Sequence, residues 1–124
     1  MNVLLVDDDD LLRECCGSIL AEEGFRVTEA ASSRQALAAM EAGGAPVVPA
    51  TDLNLRSGMN GLDLIAAVRR RRPSVRAVVI SGGDGASGLH ASDRFLAKPF
   101  RMDELVDVVE EMARGMQEGT LAQS

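Results

Sequence analysis

A chain of 124 residues suits one domain, long enough to build a core without disulfide or metal staples. Hydrophobic residues make up 46% and charged residues 26%, the balance of an ordinary globular protein. Nineteen acidic against 13 basic side chains give a net charge of -6, which argues against direct contact with nucleic acid. No apolar run suggests a membrane span, and Met1 leads straight into a strand-like run rather than a signal peptide. Cys15 and Cys16 are neither a disulfide framework nor a metal knuckle, so the expected home is a reducing, cytoplasmic one away from any membrane.

Asn2–Val6 is almost wholly apolar and predicts a strand buried on both faces. Leu12, Cys15, Cys16, Ile19 and Leu20 follow at helical spacing, with Asp9 or Asp10 as the cap and Gly24 as the stop. Phe25–Ala30 alternates like an edge strand, and Ser32 with Gln35 forms a capping box for a helix through Met40, closed by Gly43-Gly44. Val47–Thr51 predicts a third strand and Gly61–Arg71 a third helix, whose run Arg69-Arg70-Arg71-Arg72 suits the negative end of the dipole. Val75–Ile80 predicts a fourth strand and Phe95–Ala97 a short fifth. Leu105, Val106, Val109 and Met112 mark the inner face of a last helix, expected to close at Gly115. The expected organisation is one domain over 1–115 and a polar tail over 116–124.

Repeated βα units predict an α/β fold, a doubly wound parallel sheet with helices on both faces. Pro49 conflicts with this, because it falls inside the third strand and cannot donate a ladder hydrogen bond.

Four of the predicted strands run into a residue capable of chemistry: Asp7-Asp8, Asp52, Ser81 and Lys98. In open α/β sheets the ligand site lies beyond the carboxyl ends of the strands. With the first and third strands adjacent, three carboxylates gather there and raise one another's pKa unless a cation binds among them. Hard oxygen ligands suit Mg²⁺, and a carboxylate beside it can attack a phosphoryl group to form an acyl phosphate. Lys98 is the only lysine beside twelve arginines, which points to a need for a compact ammonium at this position. Ser81 offers a hydroxyl donor.

Five segments in register carry a resemblance: Val-Leu-Leu-Val-Asp-Asp-Asp at 3–9, Thr-Asp-Leu-Asn-Leu at 51–55, Gly-Met-Asn-Gly at 58–61, Val-Ile-Ser-Gly at 79–82 and Phe-Leu-Ala-Lys-Pro-Phe at 95–100. The chain resembles the receiver domain of bacterial two-component response regulators over nearly its whole length. The resemblance implies a flavodoxin-like five-stranded sheet of order 2-1-3-4-5. It also implies that Asp52 is the phosphoacceptor and, with Lys98, the catalytic pair. Mg²⁺, or Mn²⁺, would be held by Asp8, Asp52 and the backbone carbonyl of Asn54, with Asp7 acting through water. Ser81 and Lys98 would hold the phosphoryl group, Phe95 would be the switch aromatic, and the Lys98-Pro99 bond would be cis. The donor would be a histidine kinase or a histidine phosphotransfer protein of a phosphorelay, and the output an unidentified downstream protein reached by contact. Such a module is no enzyme beyond its own phosphotransfer and slow self-dephosphorylation.

Three features depart from the family pattern: Pro49, Arg56-Ser57 where the family carries a proline, and the short segment between Ser81 and Lys98. Four of the seven residues from Gly82 to Gly88 are glycine, so the fourth helix is expected to be short or irregular and Gly82–Asp93 mobile until phosphorylation. Two rival readings exist. A haloacid-dehalogenase-like phosphatase would use Asp7 of Asp7-x-Asp9 as nucleophile, leaving Asp52, Ser81 and Lys98 partly unassigned. A pseudo-receiver would never take phosphate, and the full set of reactive residues argues against it.

Overall fold

The apolar runs Asn2–Val6, Val47–Asp52 and Val78–Ser81 become the three inner strands of one sheet, buried almost throughout. The computed structural model describes residues 1–43, 46–55, 58–83 and 89–122. In chain order the elements are β1 (Asn2–Val6), α1 (Asp10–Glu22), β2 (Arg26–Ala30), α2 (Ser33–Ala42) and β3 (Val47–Asp52). They continue with α3 (Gly61–Arg71), β4 (Val78–Ser81), β5 (Arg94–Ala97) and α4 (Met102–Ala122). The sheet is parallel, in the order β2-β1-β3-β4-β5 that the resemblance implied. Helices α1 and α4 pack on one face, and α2 and α3 on the other. The main core gathers Val3, Leu5, Leu20, Val48, Leu64 and Leu105, while Ile65, Ala77 and Val79 form a smaller cluster.

Helix starts are set by local side chains. Asp9 caps α1 by accepting from the Leu12 N–H at 3.2 Å, and Asn60 caps α3 by accepting from Asp63 at 2.9 Å. Ser32 caps α2, while Gln35 reaches one residue further back than a capping box requires and accepts from Ala31. Gly24 ends α1's turn with a φ of 98°, a conformation that favours glycine. The edge strands and β4 differ slightly from expectation: β2 begins at Arg26, β5 at Arg94 and β4 only at Val78. Cys16 is buried and its thiol pushed up to about 11 by burial, whereas Cys15 faces solvent.

The late start of β4 accounts for Pro49. Leu53 donates its N–H to Ile80 of β4 at 2.8 Å, and β-strand donors alternate sides. The nitrogen of Pro49 therefore points to the β4 side, below Val78, the first residue of β4 and partner of Ala50. No ladder bond is forfeited, and Pro49 stays in register with Leu4 of β1.

Two expectations need correction or limits. The last helix does not close at Gly115 but continues to Ala122, so the expected boundary between a domain over 1–115 and a tail over 116–124 falls inside it. At Gly115 a Cβ would lie 2.6 Å from the Arg76 guanidinium, which would have to shift, and the next residue, Met116, joins the core. Among the described residues no helix joins β4 to β5, and the expected mobility of Gly82–Asp93 rests largely on residues 84–88, which lie outside the described residues, as do Arg56-Ser57. Three of the arginines at 69–72 have partners. Arg69 pairs with Asp93 at 2.6 Å, Arg71 with Glu41 at 2.6 Å, and Arg72 donates to the Gly43 carbonyl.

Gly61 sets how closely α3 meets the end of β3. Its N–H donates to the Leu53 carbonyl at 2.9 Å, and a Cβ there would collide with the Asp52 carbonyl. Gly61→Ala is expected to destabilise the fold by about 1–3 kcal/mol through overpacking, although alanine is the better helix former. The check is the urea midpoint, and an unchanged or higher value would contradict the contact.

Candidate functional site

Parallel strands bring their carboxyl ends to one edge of the sheet, and the reactive residues collect there. Asp7 and Asp8 follow β1, Asp52 ends β3, Ser81 ends β4 and Lys98 follows β5. Ladder bonds run up to these residues: Asp7 donates its N–H to Ala30 at 3.1 Å, Leu53 to Ile80, and Lys98 to the Ser81 carbonyl at 2.9 Å. Carboxylate oxygens of Asp7, Asp8 and Asp52 lie within 4.8 Å of one another.

Each oxygen of Asp52 has a partner. Oδ1 accepts the N–H of Asn54 at 3.1 Å, and Oδ2 lies 3.1 Å from Lys98 Nζ. The same ammonium is 3.8 Å from Asp7 Oδ2, while Asp7 Oδ1 accepts the Asp9 N–H at 2.9 Å. Burial is the main reason the Asp7 carboxyl sits above the usual carboxylate range; the Asp9 N–H and Lys98 pull it down, and Asp52 and Asp8 push it further up. Burial works against the Lys98 ammonium, but its bond to Asp52 and the charges of Asp52, Asp7 and Asp9 outweigh that and raise its pKa. Among the described residues, the Lys98 ammonium is thus shared between Asp7 and Asp52.

The donor set fits a hard divalent cation. The carboxylates supply oxygen only, and their spread is comparable with the ~4.2 Å across a Mg²⁺ octahedron. Asn54 belongs to the same turn through its N–H to Asp52, which brings its backbone to the cluster.

Ser81 is 1% exposed, and its Oγ accepts the Gly83 N–H at 3.1 Å. A hydroxyl that accepts in this way keeps its own proton to donate. Phe95 is half-buried and packs with Leu53, Leu62 and Leu89 against the smaller cluster of Ile65, Ala77 and Val79. Lys98-Pro99 is cis, as the resemblance implied. His90 stands apart, in a turn where its Nδ1 lies 2.7 Å from the Ser92 hydroxyl. Asp9 spends its side chain on capping α1, which deprives the Asp7-x-Asp9 phosphatase reading of its second acid.

Arg13 was not singled out in the sequence. Its Nη1 donates to the Asp7 carbonyl at 2.8 Å. The available signal was a lone cation one turn after four consecutive aspartates, Asp7 to Asp10.

Acids at the ends of β1 and β3, opposed by a hydroxyl and an ammonium at the ends of β4 and β5, define a phosphoacceptor signalling module. Residues 3–110 match the response regulator receiver domain, and the chain belongs to that family, whose members take phosphoryl groups in two-component signalling. It is 32% identical over 120 residues to the photosynthetic apparatus regulatory protein RegA of Rhodobacter capsulatus, covering 92% of this chain and 62% of RegA. It is 34% identical over 115 residues to the sensor kinase CckA of Brucella abortus, covering 89% of this chain and 12% of that kinase. The chain thus spans less than two thirds of these relatives' own lengths. A response regulator receiver protein from Sinorhizobium medicae superposes with a TM-score of 0.84 at 27% identity, covering 94% of this chain and 96% of that one. Receiver domains interact with histidine kinases and phosphotransfer partners and bind Mg²⁺ at their acidic cluster. Among the described residues no helix is long and apolar enough to cross a membrane.

Because burial and two neighbouring carboxylates disfavour the Asp7 anion, Asp7→Asn is expected to raise the melting temperature of the metal-free protein at pH 7. A gain of about 1 kcal/mol corresponds to roughly 4 °C at this size. A lower melting temperature would show that the Lys98–Asp7 attraction outweighs the repulsion.

Proposed function

We propose that Asp52 of this chain accepts a phosphoryl group from a phosphohistidine of a histidine kinase or histidine phosphotransfer protein, in a Mg²⁺-dependent reaction. The carrying observation is the Asp52 carboxylate, 7% exposed, held between Lys98 Nζ and the Asn54 N–H and beside Asp7 and Asp8. A carboxylate so held is pointed, which in-line attack on phosphorus requires. The new bond forms between an Asp52 oxygen and phosphorus; the bond from phosphorus to the donor nitrogen breaks, and its electron pair leaves with the imidazole.

Asp8 and Asp52 would hold the cation with the Asn54 carbonyl, and Asp7 would act through water. Mg²⁺, or Mn²⁺ in its place, supplies charge neutralisation for the phosphoryl oxygens. Lys98 would supply the rest, passing from the Asp52 carboxylate to a phosphoryl oxygen as charge moves outward. Ser81 donates its free proton to a second oxygen. Its displacement would draw Gly83 with it through their hydrogen bond, and Phe95, which like Leu89 packs against the Ile65, Ala77 and Val79 cluster, would follow.

The chain acts as one receiver unit whose last helix carries it past residue 115. Its signal leaves through contact with a downstream protein, and a cytoplasmic setting suits the two free thiols. Beyond transferring the phosphoryl group to itself and slowly losing it, the module performs no catalysis.

Acetyl phosphate with Mg²⁺ is expected to leave a single base-labile phosphoryl adduct, visible by intact-mass measurement. It should disappear when a chelator removes the metal and in Asp52→Asn. An adduct of the same yield and lability in Asp52→Asn would overturn the assignment.

A further inference from the structure

Asp7 and Asp8 stand at the start of a loop, where an unbraced peptide is free to rotate and take both carboxylates with it. The peptide between them is held by a residue outside the acidic cluster. Arg13, in the first turn of α1, donates from Nη1 to the Asp7 carbonyl oxygen at 2.8 Å. That oxygen belongs to the Asp7–Asp8 peptide, so fixing it fixes the plane from which Asp8 departs.

The guanidinium is braced on its remaining edges. Nη2 lies 2.8 Å from Asp10 Oδ1, and Nε donates to Glu29 Oε1 at 3.2 Å. With its side chain 12% exposed, Arg13 is sheltered rather than waving in solvent. Glu29 is on β2 in register with Leu5 of β1, so the brace is anchored to the sheet and not merely to the helix.

Gly17 completes the arrangement. It lies four residues after Arg13 and therefore on the same face of α1. A Cβ there would sit 3.0 Å from Glu29 Oε2 and 3.3 Å from Glu29 Cδ. Glycine is the poorer residue for a helix interior, and the space it leaves is where the Glu29 carboxylate lies.

We infer that Arg13 is a positioning residue for the acidic cluster, its guanidinium, seated by Glu29 in the space left by Gly17, orienting the Asp7–Asp8 peptide for a divalent cation. This rests on the cluster being the Mg²⁺ site. Charge and geometry act in opposite directions here. Removing a cation from the neighbourhood favours binding of a dication, so any loss of affinity on removing Arg13 reports the loss of orientation. Partners that orient metal ligands commonly matter by about 10–100-fold in affinity, which exceeds the opposing effect of one screened charge.

The test is calorimetric titration of the metal-free protein with MgCl₂, together with its melting temperature. Arg13→Ala is expected to bind Mg²⁺ about 10-fold more weakly than wild type. Gly17→Ala is expected to bind several-fold more weakly while its melting temperature holds or rises, a combination that a merely structural role does not produce. Arg71→Ala, which removes only the surface pair with Glu41, should bind as wild type does. Wild-type affinity in Arg13→Ala overturns the inference, and Gly17→Ala decides it in the same way if Arg13→Ala does not fold. A wild-type protein that takes up no Mg²⁺ overturns the metal reading itself, and is thereby distinguished from failure of this inference alone.

Discussion

Asp7, Asp8 and Asp52 bring carboxylate oxygens within 4.8 Å of one another at the edge of an otherwise apolar sheet. With an effective dielectric constant of about 20, two unit charges at that separation repel by roughly 3 kcal/mol, and three such pairs approach the whole stability of a small domain. The surroundings offset this repulsion piece by piece. The Asp9 and Asn54 N–H groups each take one carboxylate oxygen, and Lys98 Nζ stands 3.1 Å from Asp52 and 3.8 Å from Asp7. Burial is the largest cause of the raised pKa of Asp7, and the charges of Asp52 and Asp8 push it further the same way.

The fold places these carboxylates where they can be used. A parallel sheet delivers the ends of β1, β3, β4 and β5 to one edge, and Gly61 lets α3 close on the back of Asp52. The opposite end of the β4–β5 connection is tied down. Asp93 accepts the Ala77 N–H at 2.9 Å and the Arg69 guanidinium at 2.6 Å, which pins the start of β5 to the approach to β4 and to α3.

Much of this was legible in the sequence because its causes are local. The apolar runs that make β1 and β3, the caps at Asp9 and Ser32, and the strand-end positions of Asp7, Asp8, Asp52, Ser81 and Lys98 all depend on neighbouring residues. What escaped depends on residues distant in the chain. Pro49 is tolerable only because β4 begins at Val78 and leaves its nitrogen without a ladder partner to lose. Gly115 carries the local signature of a helix stop, but its missing side chain makes room for Arg76. Arg13 resembles any surface cation until Glu29 on β2 and the Asp7 carbonyl are brought against it. The role of Asp93 likewise exists only once Arg69 of α3 and Ala77 are brought against it.

The central claim is that these carboxylates form one cation-compensated site, and its most direct test is the melting temperature as Mg²⁺ is added. Binding to the folded state alone raises stability with the logarithm of free ligand above its dissociation constant. The wild-type protein should therefore show a continuing rise with log [Mg²⁺], and Asp8→Asn should show little or none over the same range. A wild-type melting temperature indifferent to Mg²⁺, or an equal rise in Asp8→Asn, would contradict the account.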